Sequence, residues 1–148
     1  MIPSGTSNVY RIDAGYLYSY DWVYAQGDII AYYSDERLKD KKGKIENAID
    51  KVKQLNGFYY TNNDLAKSFG YKDEKLQVGL SAQEVKAVLP EVVTLAAFDT
   101  EFDENQKPIG SKTGEDYLTV NYDKLVPLLI EAIKEQQKQI DELKARLG

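Results

Sequence analysis

The chain has 148 residues, with 19 basic and 24 acidic side chains and a formal net charge of −5. That length holds one ordinary domain, or a small domain with an extended appendage, and the charge balance lacks the basic excess that binding a nucleic-acid backbone requires. With no histidine and no cysteine, thiolate zinc sites, disulfides, cysteine nucleophiles and histidine-based triads are excluded, and any chemistry must use Ser, Thr, Lys, Tyr or carboxylates.

No apolar run approaches the ~20 residues of a membrane span, and the opening MIPSGTSNVY lacks the charged-then-apolar order of a secretory signal. Seven of the twelve tyrosines precede Ser34. Within that aromatic segment Gly15-Tyr-Leu-Tyr-Ser-Tyr20 alternates like a strand, and Gly27-Asp-Ile-Ile-Ala-Tyr-Tyr33 reads as a second, Gly-led strand. So short a segment buries little core alone, so its strands are expected to pair with later residues or with another copy of the chain. The tyrosines could present a carbohydrate-binding surface, although aromatic residues in short strands more often pack than bind.

The aromatic run stops at Ser34-Asp-Glu-Arg-Leu-Lys39. Ser34 or Asp35 can cap a following helical turn, and Glu36 suits its N-terminal dipole. A nucleophilic role for Ser34 needs a base, and among nearby residues Lys39, Lys41, Lys42 and the acids are the candidates. A lysine serves only when desolvation or other cations bring its pKa down from about 10.4. Residues five apart face different ways on a regular helix or strand, so a turn or a second chain must bring Ser34 and Lys39 together.

Farther along, Ile45, Ala48, Ile49, Val52 and Leu55 recur at helical spacing and predict a helix over about Lys44 to Leu55, ended by Asn56-Gly57. Phe58-Tyr-Tyr60 predicts a strand, Leu65 to Phe69 a short helix stopped by Gly70, and Leu76 to Leu80 another strand. Ser81 and Glu84 form a capping-box signature before Val85, Val88 and Leu89, with Pro90 as the stop. Val92 to Phe98 and Tyr117 to Asn121 read as strands around a long polar loop. In that loop Asp99 to Asn105 is acidic at alternate positions, but Glu104 stands where a calcium loop needs Gly and Gly110 where it needs Glu, so solvated loop is the expectation. Lys41-Lys-Gly-Lys44 lacks the framing residues of a phosphate loop and reads as an exposed turn.

The C-terminal segment has the clearest period. Tyr122, Val126, Leu129, Ile133, Gln136, Ile140, Leu143 and Leu147 alternate steps of four and three, a heptad seam of about three and a half repeats. Leu125, Leu128 and Ile130 broaden the stripe over its first half, where packing on the chain's own domain is the competing reading. From Glu131 onward the remaining positions are polar, which favours self-association. Pro127 sits one turn inside the helix start if Asn121 or Tyr122 opens the helix, where a missing amide costs little and a kink is the alternative. The fold class expected is therefore α+β: a short β-rich N-terminal segment, a small α+β domain, and a C-terminal coiled-coil helix.

The run Ser34-Asp35-Glu36-Arg37-Leu38-Lys39 resembles the S-D-x-R-x-K signature of the peptidase S74 family, the C-terminal intramolecular chaperone domain of phage tail fibres, tailspikes and endosialidases. Ile45 to Val52, Leu55 to Tyr60, Val78 to Val85, Leu89 to Val93 and Tyr122 to Ile133 resemble further blocks of that domain, in the same order. The resemblance covers about Gly27 to the C-terminus. It implies a homotrimer that assists folding of the upstream fibre or tailspike segment of the same chain and then cuts itself off at Tyr33-Ser34. It implies Ser34 as nucleophile and Lys39 as its partner, with Asp35 and Arg37 in positioning or ion pairing, and a backbone amide of the following turn as a reasonable oxyanion donor. No cofactor, metal, nucleic acid or membrane is implied. The division expected is 1–33, fibre end retained after cleavage, and 34–148, chaperone and autoprotease, with 34–120 as the α+β part and 121–148 as the coiled-coil helix. The precursor is expected to fold in the host cytoplasm and the released domain to be missing from the mature virion fibre. A different class of reading is a non-cleaving structural tip that trimerises and stays on the fibre.

Overall fold

The structure, a computed structural model, describes residues 19, 23–30 and 32–148. Its elements are α1 (Ala48–Lys53), β1 (Gly57–Tyr60), α2 (Asp64–Ser68), β2 (Gln77–Leu80), α3 (Ala82–Val88), β3 (Val93–Leu95), β4 (Thr100–Phe102), β5 (Pro108–Ser111), β6 (Leu118–Val120) and α4 (Val126–Leu147), with single 3₁₀ turns between several of them. The architecture is α+β. Three antiparallel two-stranded ladders, β1–β2, β3–β6 and β4–β5, combine with helices, of which α4 is the longest at 22 residues.

The core forms where α1, α3 and α4 meet the β3–β6 ladder. Ala48, Ile49, Val85, Val92, Val120, Leu125, Leu128 and Ala132 make one buried cluster, flanked by half-buried Ile45, Val52, Leu55, Leu80 and Leu89. The periodic apolar residues of α1 thus do face inward, but the helix is shorter than the spacing over 44–55 predicts. Asn47 adopts a left-handed conformation, φ 54°, and offers no side-chain cap. The acceptor comes instead from α4: the Glu135 carboxylate takes the Ala48 and Ile49 amides, each at 2.9 Å. The Ile49 amide, then that of Ala48, holds this carboxyl below the ordinary glutamate range against the opposing effect of burial, and Lys51 adds to the lowering.

Local chemistry sets the other boundaries. Asn63 Oδ1 caps α2 by accepting the Ala66 amide at 2.9 Å, and Gly70, at φ 100°, ends the turn where a side chain would be strained. Ser81 caps α3 through the Glu84 amide at 3.3 Å, but the Glu84 side chain does not complete the box. It reaches the Asn56 amide at 3.0 Å and Asn56 Nδ2 at 3.1 Å, and so ties the end of α1 to the start of α3. In β2, Gly79 lies opposite Phe58, and a Cβ there would meet both Tyr60 and the Tyr122 hydroxyl at 3.2 Å. That hydroxyl accepts the Leu80 amide at 2.9 Å.

Four expectations need correction. Among the described residues of 27–33 no strand forms, and the strand expected over 15–20 falls, except for Ser19, outside the described residues. The strand expected over 92–98 is only β3, because Pro90–Val92 and Ala97–Asp99 close into 3₁₀ turns on either side. The polar loop contains the β4–β5 hairpin, turned at Gln106 with φ 61° and held by Asp103, whose Oδ1 accepts the Asn105 and Lys107 amides at 2.8 Å. Finally, Asp99 is 0% exposed rather than solvated. Its carboxylate accepts the Ser111 hydroxyl at 2.8 Å and the Thr113 and Tyr117 amides at 2.9 Å. Burial alone would raise its pKa, yet these donors outweigh that and hold it at about 2.

Beside the core, Phe69, Tyr71, Phe98 and Tyr117 form an aromatic cluster with centroid distances from 4.8 to 5.6 Å. On α4 the inward face is Leu128 and Ala132, continued from Leu125 in the 3₁₀ turn Tyr122–Leu125. The heptad positions point elsewhere: Val126, Leu129, Ile133, Ile140, Leu143 and Leu147 are all exposed, Ile133 by 64%. Every residue from Gln136 onward is exposed.

Candidate active site at the Tyr33–Ser34 junction

Residues 34–39 fold into one 3₁₀ turn over Glu36–Leu38, bounded by extended Asp35 and Lys39. Asp35 starts it. Its Oδ1 accepts the Arg37 amide at 3.0 Å, while the Leu38 amide donates to the Asp35 carbonyl at 3.2 Å and the Lys39 amide to the Glu36 carbonyl at 3.1 Å. The capping role suggested for Ser34 or Asp35 therefore falls to Asp35, and the Ser34 hydroxyl is left to another partner.

That partner is Lys39, whose Nζ donates to Ser34 Oγ at 3.3 Å. Tighter winding solves the spacing problem, because a three-residue 3₁₀ turn between extended residues brings positions five apart onto one side. Both side chains are exposed on the single chain. Arg37 doubles back on Asp35 with a forked contact, Nε to Oδ1 at 3.0 Å and to Oδ2 at 3.1 Å, Nη2 to Oδ2 at 2.6 Å. The Arg37 side chain, then its amide, holds the Asp35 carboxyl below its ordinary range, and the Lys39 charge adds to this against weak desolvation. Lys41 pairs with Glu36 across the turn.

Of the four residues singled out from sequence, the structure thus gathers Ser34 with Lys39 and Asp35 with Arg37. The amides of Arg37, Leu38 and Lys39 are all engaged inside the turn, so an oxyanion donor from among them would have to give up an existing bond. Spacing also gave no sign of two residues on the other side of the junction. Tyr32 is in the left-handed region at φ 69°, and Lys124 Nζ lies over its ring, 5.4 Å from the centroid. A hollow of about 420 Å³ is lined by aromatic-cluster residues such as Phe69 and Phe98 and includes none of the junction residues. Among the described residues no group of acidic side chains is arranged to hold a metal ion, and no helix is long and apolar enough to cross a membrane.

Fold and junction together describe a small α+β module with a serine and lysine in contact at its entrance and an apolar helix stripe left uncovered. Residues 34–94, a stretch that opens on Ser34, match the Peptidase_S74 family, described as chaperone of endosialidase. It is 35% identical over 146 residues to the long tail fiber protein Gp37 of Enterobacteria phage K3, and equally to that of Enterobacteria phage T2, which covers 99% of this chain and 10% of each relative. It is 36% identical over 118 residues to Gp37 of Enterobacteria phage M1, covering 77% of this chain and 39% of that protein. The chain spans about a tenth of the length of the first two relatives.

Proposed function

We propose that this chain is the chaperone portion of a phage tail-fibre polypeptide, which trimerises through the α4 seam, guides folding of the fibre segment ahead of it, and releases itself by cutting Tyr33–Ser34. The observation that carries the reading is the 3.3 Å contact between Lys39 Nζ and Ser34 Oγ at the residue where the family match begins. On this reading residues 1–33 stay with the fibre and 34–148 leave.

The chemistry is an acyl transfer. Lys39, in its neutral form, takes the Ser34 hydroxyl proton as Oγ attacks the Tyr33 carbonyl, and the tetrahedral intermediate collapses by breaking the Tyr33–Ser34 C–N bond. The proton passes from Lys39 to the departing nitrogen, which becomes the free amine of Ser34, and the Tyr33 acyl group is left as an ester on Ser34 Oγ. Water then hydrolyses that ester, giving a Tyr33 carboxylate and restoring the hydroxyl. A lysine becomes a base only where water or competing anions are removed from it. Cover from neighbouring copies packed along the exposed stripe of α4 would supply that condition, and would make cleavage wait for assembly. The Asp35–Arg37 fork engages the Asp35 carboxylate with the guanidinium and so fixes the start of the turn that carries Lys39.

Intact-mass spectrometry of the purified protein beside Ser34→Ala and Lys39→Ala tests this. Two fragments divided between Tyr33 and Ser34, in the parent alone, are expected. A single uncut mass in all three, from protein confirmed as a trimer by sedimentation, would overturn self-cleavage and leave a structural tip of the fibre.

A further inference from the structure

The proposed cleavage needs the Tyr33 carbonyl held against Ser34 Oγ, and the turn over 36–38 fixes only the serine side of the bond. Resting on that reading, we propose that Lys124 is a positioning residue which holds the Tyr32 ring and thereby sets the orientation of the Tyr33 carbonyl. Lys124 Nζ sits over the ring at 5.4 Å from its centroid, within the range of a cation–π contact.

Three features make this more than a chance surface contact. First, Lys124 projects from a fixed post. It belongs to the 3₁₀ turn Tyr122–Leu125, whose ends are anchored by the Tyr122 hydroxyl on the Leu80 amide and by buried Leu125 in the core. Second, Tyr32 holds φ 69°, a conformation that L-residues with bulky side chains rarely adopt, so the bend just before the scissile bond needs support from outside its own backbone. Third, the Tyr32 ring packs at 5.8 Å on the Tyr33 ring, so the hold on Tyr32 carries over to the residue whose carbonyl is attacked. The bond is thus tethered twice: by Lys124 through Tyr32 on the acyl side, and by the Asp35-capped turn on the amine side.

The same turn opens α4, whose exposed stripe begins at Val126. A copy docking on that stripe therefore bears on the element that carries Lys124. Recognition on the acyl side is for an aromatic ring two residues before the serine, passed on through its packing against the Tyr33 ring.

The test is a time course of self-cleavage in the full chain, with trimer content and thermal unfolding measured for each variant. Lys124→Met and Tyr32→Leu are each expected to slow cleavage at least about threefold, the rate equivalent of a surface cation–π contact. Lys124→Arg and Tyr32→Phe, which keep a cation and a ring, are expected to cleave within about twofold of the parent. The double variant Tyr32→Leu with Lys124→Met should be no slower than either single one. A parental rate in Lys124→Met, full additivity in the double variant, or a Lys124→Arg as slow as Lys124→Met with loss of assembly would overturn the positioning role while leaving self-cleavage intact. An uncut parent would instead remove the underlying reading, and this role with it.

Discussion

Leu128 and Leu129 are neighbours in sequence, yet α4 turns one inward and the other outward, and truncating each to alanine tests whether folding and the proposed assembly use separate faces. Leu128 is 0% exposed within a cluster whose nearby members include Ala48 and Ala132. Alanines cannot grow into the space that a lost isobutyl group leaves, so Leu128→Ala is expected in the middle to upper part of the usual range, about 3–4 kcal/mol. Leu129 is 47% exposed, and its truncation should cost the single folded chain about 1 kcal/mol or less. Both substitutions are best placed in a Ser34→Ala background, which keeps the chain whole. Urea unfolding followed by circular dichroism should show a midpoint lowered by about 2 M for Leu128→Ala at unchanged slope. Sedimentation should show the reverse ranking, with Leu129→Ala dissociating at higher protein concentration. If Leu129→Ala unfolds as readily as Leu128→Ala without altering association, or if Leu128→Ala costs less than about 1 kcal/mol, the division of α4 into an inward face and an assembly face is wrong.

Two further predictions concern buried or bridging carboxylates. Asp99 has its pKa lowered to about 2, so its contribution to stability is complete above the ordinary carboxylate range and fades as pH falls from about 4 through about 2. Asp99→Asn should therefore melt below the parent at neutral pH, with the two converging in acid; a gap that stays constant to pH 2 would count against the hub. Glu135→Gln removes the charged acceptor from the Ala48 and Ile49 amides, and hydrogen exchange at those two amides should accelerate selectively. The parental protection, arising from a lowered pKa, should likewise be present at neutral pH and decline as the medium is acidified below the ordinary glutamate range.

The elements that announced themselves in the sequence are those whose cause is local. The strand at Phe58–Tyr60, the Ser81 cap and Pro90 stop of α3, and the apolar spacing of α1 and α4 each depend on residues within a turn or two of one another. The features that escaped depend on a single distant group. The β4–β5 hairpin follows no apolar alternation. Its polar sequence is organised by Asp99, one carboxylate serving donors 12 to 18 residues away. Helix α1 starts late because its cap, Glu135, lies 86 and 87 positions from the amides it serves. At the junction, residue types left Lys39, Lys41, Lys42 and the acids open as partners for Ser34, and only the resemblance to the family motif singled out Lys39, with Asp35 and Arg37 beside it. The contact between Ser34 and Lys39 needed a 3₁₀ turn that spacing rules for helices and strands do not describe. Tyr32 and Lys124 carried no signal at all, since neither a left-handed tyrosine nor a ring-to-ammonium contact across the chain leaves a periodic trace.

The outer end of α4 lies beyond the buried core. From Gln136 to Leu147 the helix has no buried residue, and a free-standing stretch of about 12 residues is marginally helical in water. Its order on a lone chain therefore depends on continuity with the anchored half of the helix. Packing against other copies would stiffen this stretch, so that the local abundance of sister chains would be converted into the stiffness of one rod. If the chain assembles as proposed, such an element would act as a census device: scarce copies would leave it soft, and a quorum would set it firm.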